Sequence, residues 1–159
     1  MAKEYEYLED YTVGESFISP ARTITEADII NFADITGDRH PLHTDIEYAA
    51  KSPFKERVAQ GMLILSIGMV LPFRIDTHSN SLPKSFFALY GMDNVRFTAP
   101  TKIGDTIHCE VKVTEITDKG RGHGVLTTQN EIKNQRDEVL VSYEVKVLRG
   151  KRGKSGKRP

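Results

Sequence analysis

The stretch Val58–Leu71, VAQGMLILSIGMVL, decides how the rest of this chain must be arranged. Apart from Gln60, Ser66 and two glycines, every residue in it is apolar, and the run stops at Pro72. It is longer than a usual β-strand, and a helix that is apolar on every side has no face to offer to water. The stretch therefore predicts a buried central helix with the remaining elements packed around it.

The residues before this stretch predict two further helices. Thr25 and Asp28 have nearly the spacing of a capping box, and apolar residues follow at helical intervals over residues 26–36 until Gly37 ends the helix. A second, shorter helix is predicted over residues 44–52, between a Thr-Asp capping pair and a proline.

The second half of the chain is patterned as strands. Residues 73–84 show no periodicity and predict an irregular loop, after which apolar and polar residues alternate. The predicted strands cover residues 85–100, where two apolar runs flank a glycine-containing turn, then 105–116, 123–134 and 138–148, the last two joined by a hairpin turn. Helices first and antiparallel strands afterwards predict an α+β fold in which the sheet wraps around the central apolar helix.

The charged side chains balance at 22 basic and 22 acidic over 159 residues, but they are unevenly spread. Six basic residues follow Leu148 with no acidic residue among them, so residues 1–148 carry 16 basic and 22 acidic groups, a net charge of −6. We interpret residues 1–148 as a single domain and residues 149–159, which contain no large apolar side chain, as a disordered basic tail. The acidic body argues against nucleic acid as a partner, although the tail alone could bind RNA or an anionic surface.

Cysteine content and hydropathy bear on the compartment. Cys109 is the single cysteine, so no disulfide can form within the chain. The first eleven residues, MAKEYEYLEDY, are acidic and contain no apolar signal core, and the longest apolar run, residues 62–71, is about half of a membrane span. These features predict a protein of the reducing cytoplasm that does not enter a membrane.

The segment TGDRHPLHTD gathers four groups that can bind a metal or move protons: Asp38, His40, His43 and Asp45. A metal site would use the two histidines with one carboxylate. The proline between the histidines breaks the helix that a His-x-x-His pair needs, and no cysteine lies nearby. We therefore predict no metal here.

Two other interpretations of this segment remain open. In a structural one, Asp38 caps a helix and His43 is a buried histidine in a polar turn. In a chemical one, the same two residues form a general acid/base dyad on a bend that Gly37 and Pro41 make rigid. Gly61, at the start of the predicted central helix, favours the second, because free N–H groups and the helix dipole there would stabilise negative charge on a carbonyl oxygen. Close helix packing would equally explain that glycine by itself.

Two stretches of the sequence, residues 33–71 and residues 91–107, resemble the MaoC-like dehydratases, a family that includes the R-specific enoyl-CoA hydratases. The first contains TGDRHPLH and, further on, QGM, where the family has T-G-D-x-N-P-L-H and H-G-M. The second contains RF followed by PTKIGD, similar to the family's R-F strand and P-x-x-x-G-D. The resemblance, over about residues 8–148, implies the hotdog fold and a homodimer or higher homo-oligomer with its active site near the subunit interface.

The resemblance also implies an activity. Members of the family add water to trans-2-enoyl thioesters, or remove it from (R)-3-hydroxyacyl thioesters. The expected partner is therefore an acyl-CoA, whose coenzyme A belongs to the substrate, and no further cofactor is expected. The matching positions are Asp38 and His43 for the catalytic dyad and Gly61 for the oxyanion-hole donor. Met62 and Ser66, one and five residues after Gly61, are further candidates for lining the acyl pocket, and His40 is a candidate for substrate binding.

The sequence departs from the family pattern at two positions. His40 replaces the usual Asn, which leaves the positioning role of that Asn open, and Gln60 stands where many members have His. Two other functions stay under consideration. A thioesterase on the same fold would direct water at the carbonyl with a carboxylate, usually without a GDxxPLH turn. A non-catalytic acyl-thioester-binding protein would have no need of an intact Asp38 and His43.

Overall fold

The computed structural model describes residues 5–74 and 85–153. The chain begins with short strands, continues with helices and ends with four long strands. In chain order the elements are β1 (Ser16–Ile18), β2 (Arg22–Thr23), α1 (Glu26–Thr36), α2 (Pro41–Thr44), α3 (Ile46–Lys51), α4 (Gly61–Val70), β3 (Phe86–Phe97), β4 (Thr106–Gly120), β5 (His123–Lys133) and β6 (Val139–Gly150). Two short 3₁₀-helices, Leu8–Asp10 and Leu71–Arg74, complete the list.

The strands form one antiparallel sheet in the order β1-β4-β5-β6-β3, and β2 also pairs with β4. A two-residue turn joins β4 to β5, and both of its residues, Arg121 and Gly122, have the positive φ angles that suit such hairpins. The predicted turn between β5 and β6 is confirmed at residues 134–138. Helices on one antiparallel sheet confirm the α+β prediction.

Helix α4 is the predicted central helix. Leu63, Ile64 and Leu65 are buried in the same apolar cluster as residues of β4, β5 and β6. Gly68 permits the close contact with the sheet, because a β-carbon there would lie 2.3 Å from the Ile132 side chain. The helix begins later than predicted, since residues 58–60 are extended. None of the helices in the described ranges combines the length and hydropathy that crossing a membrane requires.

The predicted start and end of α1 are confirmed. Asp28 N donates to the Thr25 hydroxyl at 3.3 Å, and Thr25 N donates back to the Asp28 carboxylate at 2.8 Å. Burial of this carboxylate opposes its ionisation, but the bonds from Thr25 and from Arg22 outweigh that effect and hold the pKa of Asp28 below its ordinary value. Gly37 ends the helix in the left-handed conformation, with φ of 78°. The second helix, predicted over residues 44–52, is confirmed as α3 with Asp45 as its N-cap, whereas the single turn of α2 falls where only a bend was predicted.

The region of β3 was predicted incorrectly. Residues 85–100 were expected to contain a turn, but Gly91 lies within one continuous strand. The strand follows β6 with register shifts near Gly91 and Asn94, and these bulges accommodate the residues that interrupt the alternation. The short strands β1 and β2 were not predicted, because two or three residues cannot show a period. The predicted loop at 73–84 falls mostly outside the described residues.

The domain boundary at Leu148 was also placed too early. Strand β6 continues to Gly150, and the Arg149 side chain is 1% exposed. Its guanidinium lies 4.8 Å from the centre of the Tyr11 ring and donates to the Tyr5 carbonyl at 3.4 Å. Burial lowers the pKa of Arg149 to about 10. A cation shielded in this way belongs to the domain, so the prediction of a disordered tail is wrong for Arg149 and Gly150, and residues 154–159 lie outside the described ranges.

Candidate active site

The bend between α1 and α2 brings Asp38 and His43 together. Gly37 turns the chain out of α1, and Pro41 starts α2 at a position where its missing N–H costs nothing. His43 lies on α2, and its Nε2 atom is 3.9 Å from Asp38 Oδ2. The Asp38 side chain is 47% exposed and that of His43 is 14% exposed. The two residues singled out by the sequence therefore face each other at the edge of solvent.

A main-chain carbonyl fixes the orientation of the His43 ring. His43 Nδ1 lies 2.7 Å from the Val58 carbonyl oxygen. Because that oxygen can only accept, Nδ1 must carry the hydrogen. A neutral ring then presents Nε2, with its lone pair, towards Asp38. Two acceptors facing each other across 3.9 Å can share one donor molecule and pass its proton on.

The start of α4 is linked to this pair through Val58, whose carbonyl binds His43 and which precedes Gly61 by three residues. Its N-cap residue, Gln60, gives no side-chain hydrogen bond to the first turn, whereas side chains cap α1, α2 and α3. The amides of Gly61 and Met62 have no acceptor within an α-helix. A β-carbon at Gly61 would lie 2.8 Å from the Phe97 ring. The helix end therefore presents N–H groups and the positive end of its dipole, and residue 61 is glycine because a side chain there would collide with the Phe97 ring.

An apolar cleft opens next to Gly61. Its volume is about 350 Å³. The lining is mainly aliphatic and aromatic and comes from the segment before α4, from α4 itself, from the end of β3 with the residues that follow it, and from β6. It consists of Phe54, Val58, Ala59, Gly61, Ile64, Phe97, Thr98, Ala99, Pro100, Thr101, Leu140 and Val141. The arrangement suits an apolar chain whose polar end reaches the start of α4.

The remaining predicted residues are placed differently. His40 is the N-cap of α2, and its Nδ1 accepts a hydrogen bond from Leu42 N at 3.1 Å. Met62 is 55% exposed, and the Ser66 hydroxyl donates to the Met62 carbonyl at 2.7 Å. Neither Met62 nor Ser66 lines the cleft, where α4 is represented by Gly61 and Ile64.

Three contributions to the site were not predicted. Val58 acts through a main-chain carbonyl, which no side-chain pattern reveals. Phe97 comes from β3, so its place beside Gly61 depends on the fold. Gln60 gave a signal, as a polar residue in an apolar run. Its Nε2 donates to the carbonyls of Ile29 at 3.2 Å and Asp38 at 3.4 Å.

The alternative of a metal at the two histidines finds no support in residues 5–74 and 85–153. There, the group with three potential ligand atoms close together is His108, Glu110 and Asp137. Lys133 already binds Glu110 at 2.7 Å, and this bond holds the pKa of the Glu110 carboxyl below its ordinary value. The ammonium group thus supplies the cation that the Glu110 carboxylate needs.

The profile of the family described as MaoC like domain matches residues 10–135. This chain belongs to the MaoC-like family. Two relatives illustrate how far the similarity extends. The MaoC-like chain is 42% identical to Protein MaoC of Klebsiella aerogenes over 101 residues, 64% of this chain but only 28% of that protein. It is 38% identical over 109 residues to the (R)-specific enoyl-CoA hydratase of Rhodospirillum rubrum, covering 68% of this chain and 69% of the hydratase.

Solved structures confirm the hotdog fold of this MaoC-like chain. A monoamine oxidase regulatory protein from Archaeoglobus fulgidus is 41% identical with a TM-score of 0.83, covering 91% of this chain and 94% of the other. The MaoC-like dehydratase of Rhodospirillum rubrum is 32% identical with a TM-score of 0.78, covering 92% and 98%. A Mycobacterium tuberculosis protein with a double hotdog fold is 17% identical, with a TM-score of 0.72 over 96% of this chain and 46% of the other, a likeness of fold alone.

Proposed function

We propose that this protein is a hydro-lyase that adds water to trans-2-enoyl-CoA thioesters or, in reverse, dehydrates (R)-3-hydroxyacyl-CoA thioesters. The observation that carries the proposal is the approach of His43 Nε2 to Asp38 Oδ2 at 3.9 Å. The start of α4, which no side chain caps, is linked to this pair through the Val58 segment. The hydratase and dehydratase names of its relatives support the same chemistry.

In the hydration direction, a water molecule binds between Asp38 and His43. The dyad takes one proton from this water while the oxygen forms a bond to C3 of the enoyl group. The π electrons of the C2–C3 bond move into the thioester, so that its carbonyl oxygen becomes an enolate oxygen. The dyad then returns a proton to C2 on the same face. One water molecule is added and the dyad ends in its original protonation state.

The enolate oxygen carries the negative charge that the site must stabilise. The Gly61 N–H and the dipole of α4 stabilise the negative charge on it, and a single oxyanion-hole donor typically contributes a factor of about 10²–10³ in rate. The apolar cleft beside Gly61 holds the acyl chain. Because the reaction transfers no electrons between molecules, it needs no redox cofactor. The dyad and the Gly61 N–H fill the acid/base and oxyanion roles that a metal could otherwise fill, and coenzyme A takes part only as the substrate's thiol half.

The dyad is tested by Asp38→Asn and His43→Ala. We expect each to lower kcat/KM for hydration by about 10²–10⁴-fold, the usual range for a positioned acid/base group. The double variant should lose little more activity than the less active of the two single variants, because the effects of groups that act as a unit are not additive. The measurement is the loss of enoyl-thioester absorbance. Glu47→Gln is the control, since it removes an exposed carboxylate of α3 and should leave the rate unchanged.

Two results would contradict the proposal. One is near-wild-type hydration by a folded Asp38→Asn or His43→Ala protein. The other is release of free thiol from a saturated acyl-CoA at a rate above that of enoyl hydration, which would favour the thioesterase. A protein that binds both thioesters and converts neither would be the non-catalytic binder.

We further propose that two copies pair through β3. In the described part of the chain β3 is bonded only to β6, so its outer edge carries unpaired N–H and C=O groups. Exposed apolar side chains follow this edge: Phe87, Leu89, Tyr90 and Phe97. One strand can pair with its own copy about a two-fold axis, and Phe97 would carry this interface to the cleft.

A reducing cytoplasm suits the buried, unpaired Cys109 thiol.

A further inference from the structure

Gln60 is a buried polar residue between the two halves of the candidate site. Its side chain is 2% exposed. Its Nε2 donates to the carbonyl of Ile29 in α1 and to the carbonyl of Asp38. Because both partners are acceptors, the amide can have only this orientation. Its buried Oε1 atom has no donor within the described ranges. Burying this unsatisfied acceptor costs folding free energy, which the two hydrogen bonds from Nε2 must offset.

The main chain of Gln60 serves the other half of the site. Its carbonyl oxygen accepts from Leu63 N at 3.1 Å and from Ile64 N at 3.3 Å, which closes the first turn of α4. The next residue is Gly61, whose amide points out of that turn. A shift of Gln60 would therefore move the Asp38 peptide and the oxyanion-binding end together.

We propose that Gln60 is a positioning residue, which fixes the Asp38 peptide relative to the first turn of α4. The inference rests on the proposed hydratase function. Asp38 needs such support because its side chain is half exposed and lies 3.9 Å from His43, the residue with which it must share a water molecule. Its peptide is held by its N–H, which donates to the Thr36 hydroxyl at 3.2 Å, and by its carbonyl, which accepts from Gln60. The second of these bonds reaches across from α4.

An amide is well suited to this task. It donates at every working pH, whereas an imidazole or a carboxyl at the same place changes its hydrogen-bonding with protonation. Gln60→Glu makes the difference measurable. The protonated carboxyl can donate to one of the two carbonyls, but the carboxylate would face two acceptors in a buried site and be repelled by both. Burial raises such a carboxyl's pKa, so its support is present at low pH and is lost as the pH rises through that value.

The test compares Gln60→Met, Gln60→Glu and a control, Asn130→Leu. Asn130 is also a 2% exposed amide, and its Nδ2 donates to Thr128 of its own strand at 3.0 and 3.2 Å. Gln60→Met should lower kcat about 10- to 100-fold with KM within a factor of about three, because a small misplacement of a catalytic group can cost this much. Asn130→Leu should lose thermal stability with kcat unchanged. Gln60→Glu should lose kcat, relative to wild type, as the pH rises.

A readout that needs no activity accompanies these rates. Hydrogen exchange of the peptide covering residues 36–44 should become at least about tenfold faster in Gln60→Met and should stay at the wild-type rate in Asn130→Leu. The inference is overturned if Gln60→Met keeps both the wild-type kcat and the wild-type exchange. If Gln60→Met does not fold, a flat ratio of Gln60→Glu to wild-type kcat across pH overturns it. An inactive wild-type protein would instead refute the hydratase proposal, and exchange alone would then decide the role of Gln60.

Discussion

His40 acts on the geometry of the dyad through the short helix that carries His43. Its Nδ1 accepts a hydrogen bond from the Leu42 N–H. A capping Asn would accept the same hydrogen bond with its side-chain oxygen. The ring also lies edge-on to Tyr48, with 5.7 Å between ring centres. This placement explains how a histidine can stand where the family usually has Asn. It also makes the cap sensitive to protonation, because a protonated ring has no acceptor.

Substitution at His40 should separate these roles. His40→Asn should keep most of the hydration rate, since Asn is a good N-cap, whereas His40→Ala should lose about 0.5–2 kcal/mol of stability and part of kcat with the cap. Because Asn accepts at all pH, its kcat/KM should fall less steeply than the wild type on the acid side. The measurement is the pH profile of kcat/KM for the three proteins. Superimposable profiles and rates would mean that His40 only fills the turn.

At the scale of elements, the end of β6 is held by the N-terminal segment. Besides the Arg149 contacts, Arg152 lies over the Tyr7 ring and pairs with Asp10 at 2.7 Å. Truncation after Gly153 should therefore leave the melting temperature unchanged. Truncation after Leu148 removes a buried cation and the last two residues of β6. A loss of about 3 kcal/mol, at about 2–4 °C per kcal/mol in domains of this size, should lower Tm by roughly 10 °C. Equal melting temperatures for the two truncations would show that the Arg149 contacts contribute nothing.

The elements differ in how far the sequence predicted them. Helix α1 was predicted with its ends because its signals, Thr25, Asp28 and Gly37, are local. The continuous β3 was missed because its bulge near Gly91 depends on the register with β6. Arg149 was missed because its burial depends on Tyr5 and Tyr11, at the other end of the chain.

The candidate site divides in the same way. Asp38 and His43 were singled out by their spacing on a rigid bend, and their assignment as a dyad came from the resemblance to the MaoC-like pattern. The Val58 carbonyl and the Phe97 ring could not be predicted, since one is a main-chain atom and the other reaches Gly61 only once the sheet has formed. Met62 and Ser66 were placed from their distance to Gly61 along the chain, and on a helix that distance does not decide which side faces the cleft.

At the scale of the whole molecule, the proposed pairing of two copies through the outer edge of β3 can be tested by its effect on assembly. Sedimentation should give a mass twice that of one chain. Leu89→Lys should weaken this association at least about tenfold, because a lysine on an edge strand opposes strand pairing. Val13→Lys is the control, since Val13 is an equally exposed apolar residue outside the long strands. A monomeric wild-type protein, or a Leu89→Lys protein that assembles as tightly as Val13→Lys, would exclude β3 as the interface.

The contact between Tyr5 and Arg149 makes the start and the finish of the described chain neighbours in space. A few added residues would then join one to the other, and the resulting ring could be reopened at the Arg121–Gly122 hairpin with every strand keeping its partners. The stability of the sheet depends on which strands are paired and not on where along the sequence the N-terminus lies. Such a permuted protein would place its new ends beside β4 and β5, leaving the bend that carries Asp38 and the first turn of α4 untouched.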